Sequence, residues 1–258
     1  MLCLAKIFLK KILGMEWYIM KKLPSFKWSQ IRGWFSYPVY KGDYPPIMRE
    51  WMDKKSKEEG RPWSILPTFT EDEIKLIKGT ADFYALNHYS SRLVTQECGD
   101  PNSYNAIANY YTSVDESWPK SSPAPWLITA PIGLKKLLVW IKDEYGNPPM
   151  FITENGFGDN GQLDDFDRIS YMKGYLNATL RAIHENNCNV IGFTVWSLLD
   201  NFEWMDGYTI HFGLVKVDFN DPERTRTPKA SYIFFKNVIT TTRLITNLTD
   251  SFSKTVEL

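Results

Sequence analysis

Three short apolar runs, each followed by a helical pattern and each closing on a polar or acidic cluster, set the strongest constraint on how this 258-residue chain can fold. The runs lie at residues 82–89 (DFYALNHY), 150–152 (MFI) and 190–198 (VIGFTVWSL). Between the first two, Leu134, Leu137, Leu138, Ile141 and Tyr145 recur at three- and four-residue steps. After the second, Ile169, Met172, Leu176, Leu180 and Ile183 do the same. Strands with continuous apolar runs, separated by helices, predict a parallel sheet joined by right-handed crossovers.

The punctuation of the chain fits that pattern. Residues 33–67 hold Gly33, Gly42, Gly60, Pro38, Pro45, Pro46, Pro62 and Pro67, which predicts loop with one short helix near residues 47–57. Thr70 and Glu73 stand at capping-box spacing ahead of Ile74, Leu76 and Ile77, so a helix is expected to start there. An Asn-, Ser- and Pro-rich stretch over residues 95–125 reads as a long loop, and Pro148-Pro149 as the stop of the second helical pattern. Thr227 as N-cap and Pro228 as first helical residue predict a final helix carrying Ile233, Phe234 and Val238.

Composition narrows the function classes. With 43% hydrophobic and 23% charged residues the composition reads as a soluble globular domain rather than a disordered or fibrous chain, long enough for a real core in one large domain or two small ones. The 30 basic and 30 acidic residues cancel, which argues against a nucleic-acid partner, since such binding rests on clustered cations. No run approaches the about 18–20 apolar residues of a membrane span. The apolar start is broken by Lys6, Lys10 and Lys11, an order unlike a signal peptide that reads rather as an amphipathic basic helix or a non-native start, and the compartment stays open. The sequons Asn177-Ala178-Thr179, in a predicted helix, and Asn247-Leu248-Thr249 are weak evidence for secretion. Cys3, Cys98 and Cys188 form neither a disulfide framework nor a zinc site, and His184 and His211 lack ligand spacing. No P-loop, GxGxxG or G-x-S-x-G motif occurs. Aromatic residues make up 15% of the chain, with 10 Trp, and serve equally as core or as stacking faces for a ligand.

In α/β proteins the chemistry gathers at the carboxyl ends of the strands. Glu154 stands at such an end, where a carboxylate is held rigidly for nucleophilic or acid/base work. Position alone does not separate that role from a surface Glu at a strand–loop junction, nor Gly156 from an ordinary turn residue. Glu203 and Trp204, with Trp196 seven residues before Glu203, suit a sugar: a carboxylate accepts hydroxyl protons while an indole covers an apolar C–H face. A core Trp beside a surface Glu reads as well. Asn87 and Tyr89 alternate on a strand and so face one side, from which Tyr89 could donate to a neighbouring carboxylate or simply pack. His88 then points away, as a structural residue.

FITENG at 151–156, TVWSLLDNFEW at 194–204, GY-x3-FGLVKVDF at 207–219, NHY at 87–89 and GWFSYPVYKGDYP at 33–45 resemble glycoside hydrolase family 1, most closely its animal lactase, β-glucosidase and insect myrosinase-like branch. The resemblance implies a retaining β-glycosidase on a (β/α)8 TIM barrel, without metal or cofactor, acting on a small β-glycoside. It implies Glu154 as nucleophile, Tyr89 as its hydrogen-bond partner and Asn87 lining the same sub-site. It further implies Glu203 and Trp204 on the glycone hydroxyls, Trp196 as the sugar platform and Trp126 as an aglycone wall. All of these motifs belong to the second half of the family's barrel. The first-half motifs are absent, including the Asn-Glu-Pro that carries the acid/base.

The chain therefore looks like a C-terminal half, about the last three to four βα units. Its expected organisation is an atypical segment 1–30, a half-barrel over 31–242 and a tail 243–258. Secretion would then be read from a signal in the missing part, and a homodimer is left open. The alternative is a non-catalytic pseudoenzyme or a non-folding fragment of a longer glycosidase.

Overall fold

The computed structural model describes residues 16–20, 33–95, 111–245 and 255–257. Cys3, Cys98, the three N-terminal lysines and the second sequon lie outside the described residues, as do parts of the expected segment 1–30, loop 95–125 and tail.

The three predicted strands form one parallel sheet. Strand β2 (Tyr84–Asn87) pairs with β5 (Met150–Asn155), and β5 with β6 (Val190–Val195). A second sheet joins β1 (Glu16–Met20), β3 (Ser90–Thr95) and β4 (Tyr111–Ser113), so part of the expected long loop is strand. The hairpin β7 (Val215–Val217) and β8 (Arg226–Pro228) follows β6, and β9 (Arg243–Ile245) pairs antiparallel with β10 (Thr255–Glu257).

Six helices are described. Helix α1 (Gly33–Lys41) occupies sequence expected to be loop. Pro38 stands inside it and removes one donor, but Tyr37 and Tyr40 pack on the main core, with Tyr40 stacked 5.8 Å from Tyr84. Burial outweighs the local penalty. Helix α2 (Pro46–Glu58) is the expected short helix, and α3 (Glu71–Ile77) opens on a complete Thr70–Glu73 capping box.

Helix α4 (Pro131–Tyr145) buries Leu134, Leu137, Leu138, Ile141 and Tyr145, the predicted stripe, against Met150 and Ile152 of β5. It ends on the left-handed Gly146, just before the prolines expected to stop it. Helix α5 (Phe166–Asn186) buries Arg168, Tyr171, Met172, Tyr175, Leu176 and Leu180, a stripe rotated from the predicted one so that Ile169 and Ile183 sit at its margin. The first sequon lies on this helix.

Helix α6 (Ala230–Thr241) corrects the N-cap expectation. Thr227 and Pro228 belong to β8, and the cap residue is Lys229. The first turn is satisfied from another element: the Ser231 amide donates to the Asp165 carboxylate at 2.8 Å. A distant carboxylate thus does what a local Thr would do. Among the described residues no helix is long and apolar enough to cross a membrane.

Candidate active site

The carboxyl ends of β2, β5 and β6 bring the predicted site residues together. The Tyr89 hydroxyl donates to Glu154 Oε2 at 2.8 Å. Burial, with the nearby Glu154 and Glu203 charges, pushes the Tyr89 phenol well above its ordinary value, so it stays a donor. The β2–β5 register slips after Leu86, pairing Asn87 with Glu154, and β2 ends there. Asn87 Oδ1 accepts from the Thr153 hydroxyl at 2.6 Å. His88 is buried, its ring 5.6 Å from Tyr175.

The second cluster meets the first across the sheet. Trp196 follows β6, and its indole N–H donates to Glu203 Oε2 at 3.3 Å. Glu203 is only 7% exposed, whereas Trp204, in the short 3-10 turn Trp204–Asp206, is nearly half exposed. Trp126 stands beside Tyr89 with ring centroids 6.2 Å apart and stacks on Phe212 at 6.5 Å. The buried Tyr89 and the half-buried Trp196 thus each bind one of two carboxylates, with the half-buried Trp126 beside Tyr89, and a carboxylate–indole lining suits a polyhydroxylated ring.

Gly156, open to a turn reading in the sequence, is set by space. A β-carbon there would lie 1.9 Å from the Trp196 carbonyl oxygen. The Trp196 amide donates to the Asn155 carbonyl at 2.8 Å, so the two loop entrances are joined directly.

Below the site lies a buried ionic layer that sequence reasoning missed. Arg168 reaches Asp159 at 2.6 Å and Asp165 at 2.5 Å, and donates to the carbonyls of Phe157, Gly213 and His211. Lys229 Nζ lies 3.4 Å from both Asp159 and Asp200. Asp200 also accepts from the Gly213 amide at 2.8 Å and lies 2.9 Å from His211 Nδ1. Burial raises the Asp159 carboxyl against the pull of Arg168 and Lys229. It would raise Asp200 too, but the His211 hydrogen bond and the Lys229 charge hold that group below its ordinary value. Burial and the Arg168 charge lower Lys229. One sequence signal existed: Arg168 stands four residues before Met172, on the buried stripe of α5.

The chain belongs to glycosyl hydrolase family 1, whose sequence model matches residues 23–244. The match begins before the first family motif read in the sequence. Over 211 residues the chain is 70% identical to Myrosinase 1 of Brevicoryne brassicae, covering 81% of this chain and 45% of that protein. It is 40% identical over 210 residues to the cytosolic beta-glucosidase of Homo sapiens, covering 80% of this chain and 44% of that one. The solved aphid myrosinase superposes with a TM-score of 0.80 at 63% identity, over 87% of this chain and 50% of its own. The chain spans about half the length of these relatives. Its three-stranded parallel sheet with flanking helices is part of a (β/α)8 barrel.

Proposed function

We propose that this chain carries the nucleophile of a retaining β-glycosidase that cleaves O- or S-linked β-glucosides or related sugars. The observation that supports it is the Tyr89–Glu154 hydrogen bond of 2.8 Å at a strand end, opposite the Glu203–Trp196 pair. A Glu154 oxygen attacks the anomeric carbon as the bond to the leaving group breaks, and water later releases the sugar from the covalent intermediate. Tyr89 orients the carboxylate and Asn87 lines the same sub-site. Glu203 and Trp204 take glycone hydroxyls, Trp196 covers the sugar's C–H face and Trp126 walls the aglycone.

A retaining enzyme needs a second carboxyl group about 5–5.5 Å from the nucleophile to protonate the leaving oxygen. The family's Asn-Glu-Pro segment, which carries that group, occurs nowhere in the chain. We assign the acid/base to sequence outside these residues. Proton transfer typically contributes about 10²- to 10⁴-fold, so the chain alone turns over unactivated glucosides negligibly. A thiolate needs less protonation than an alkoxide, which favours S-linked or otherwise activated substrates.

The test is incubation with 2,4-dinitrophenyl 2-deoxy-2-fluoro-β-D-glucoside, whose phenolate leaves unprotonated and whose fluorine slows release. One fluoroglucosyl group on the peptide containing Glu154, absent in Glu154→Gln, is the expected result. No adduct, or one that survives Glu154→Gln, overturns it. A chain that forms no adduct but is stabilised against heat by deoxynojirimycin is instead the non-catalytic sugar binder. That second reading draws on the edges of the sheet, where β2 and β6 each pair on one side only with β5 among the described residues.

A further inference from the structure

We propose that Tyr171 is a positioning residue for the Tyr89–Glu154 pair, acting through the Tyr89 carbonyl on one side and the Asn155 side chain on the other. The inference rests on the glycosidase reading for its consequence, not for its geometry. The Tyr171 hydroxyl donates to the Tyr89 carbonyl at 2.6 Å and accepts from Asn155 Nδ2 at 3.0 Å. The same Asn155 amide donates to the His88 carbonyl at 2.8 Å. One hydroxyl on α5 is therefore tied both to the residue that holds the nucleophile and to the nucleophile's own neighbour in the chain.

The backbone at Tyr89 needs such a tie. Strand β2 ends at Asn87, and β3 begins at Ser90 in a different sheet. The His88 amide still reaches the Glu154 carbonyl at 2.9 Å, but Tyr89 itself lies between the two ladders. Its carbonyl is held from α5, which anchors the backbone from which the Tyr89 ring is projected. Tyr171 is 1% exposed, and burial pushes its phenol well above the ordinary range, so the proton it donates is never lost at working pH.

Core filling alone would explain a buried tyrosine, and Tyr175 provides the control. It is equally buried, its ring 4.3 Å from that of Tyr171, and it donates a longer bond of 3.2 Å to the same carbonyl. Its hydroxyl accepts from the Ala130 amide and not from Asn155. Only Tyr171 links the two sides.

The experiment compares Tyr171→Phe with Tyr175→Phe, both of which keep the ring. Crystal structures give the Tyr89–Glu154 distance, and the fluoroglucoside reagent gives the rate of adduct formation and the apparent affinity separately. In Tyr171→Phe the Tyr89–Glu154 distance is expected to lengthen beyond about 3.5 Å. Adduct formation should slow by about tenfold, with reagent affinity within about twofold of the parent. Tyr175→Phe should leave both near the parent values. An intact 2.8 Å contact in Tyr171→Phe, or an equal effect of Tyr175→Phe, overturns the assignment. If the parent chain forms no adduct, the glycosidase reading falls and the two crystal structures alone decide the positioning role. Should Tyr171→Phe not fold, Asn155→Ala removes the other half of the link and leaves the Tyr171–Tyr89 bond; a lengthened Tyr89–Glu154 contact is again expected, and an intact one overturns the assignment.

Discussion

Gly156 lies against the carbonyl of Trp196 so closely that a β-carbon at 156 would sit 1.9 Å from that oxygen. The contact joins the loop leaving β5, just beyond Glu154, to the residue that donates to Glu203. Gly156 is outside the left-handed region, so space alone excludes a side chain. Gly156→Ala must push the two strand ends apart and should cost about 1–3 kcal/mol, or more if the backbone cannot give. Guanidinium unfolding reads this directly, and an unchanged midpoint would mean the two ends move freely.

Tyr89→Phe separates the hydrogen bond to Glu154, the proposed nucleophile, from the packing of the Tyr89 ring. The ring contacts with Trp126 and Phe212 remain, and only the 2.8 Å bond to Glu154 is lost. A hydrogen bond to a charged group is worth about 1.5–3 kcal/mol, so adduct formation at Glu154 should fall roughly 10- to 100-fold. Adduct formation that keeps the parent rate would show that the carboxylate is oriented by something else.

The ionic layer gives a pH-dependent prediction. Asp200 is held below its ordinary value, so the stability it contributes is complete above the carboxylate range and fades as pH falls through its lowered value. Asp159, raised by burial, works the other way: its ionisation subtracts stability as pH climbs towards its raised value. Lys229→Met leaves both carboxylates without the cation they share and should cost about 3–5 kcal/mol at neutral pH. The cost should shrink only well below the ordinary carboxylate range, because Asp159 takes up its proton first while Asp200 keeps its charge down to its lowered value. Denaturant unfolding at the two pH values checks it, and an equal loss at both would sink the electrostatic account.

What the sequence revealed follows the range of the interactions. The strands were legible as runs of adjacent apolar residues, and the α4 stripe and the Thr70 capping box as residues three or four apart. Helix α1 was not, because Pro38 argues locally for a loop while the tyrosines that overrule it meet Tyr84 and Tyr145 far along the chain. The N-cap of α6 was misplaced for the same reason, since Asp165 supplies it from 66 residues away. Within the site, strand-end position and motif led to Glu154, Tyr89, Glu203 and Trp196. The supports beneath them, Tyr171 and the Asp159–Lys229–Asp200 bridge, join residues from separate loops and helices that spacing does not bring together.

Leu76 and Leu138 both fall on apolar stretches of predicted helices, yet the structure separates them. Leu138 is buried without exposed surface between α4 and the sheet, whereas Leu76 on the seven-residue α3 is 77% exposed. Truncating a packed leucine removes its transfer free energy and leaves a cavity, so Leu138→Ala should cost about 2–5 kcal/mol. Leu76→Ala should fall within about 0.5 kcal/mol of the parent, as surface changes do. Both are read by denaturant unfolding of the 258-residue chain. A large loss at Leu76 would mean that another surface covers α3 in solution, for which a second copy of the chain is the first candidate, and sedimentation of the parent and variant would then tell the two cases apart.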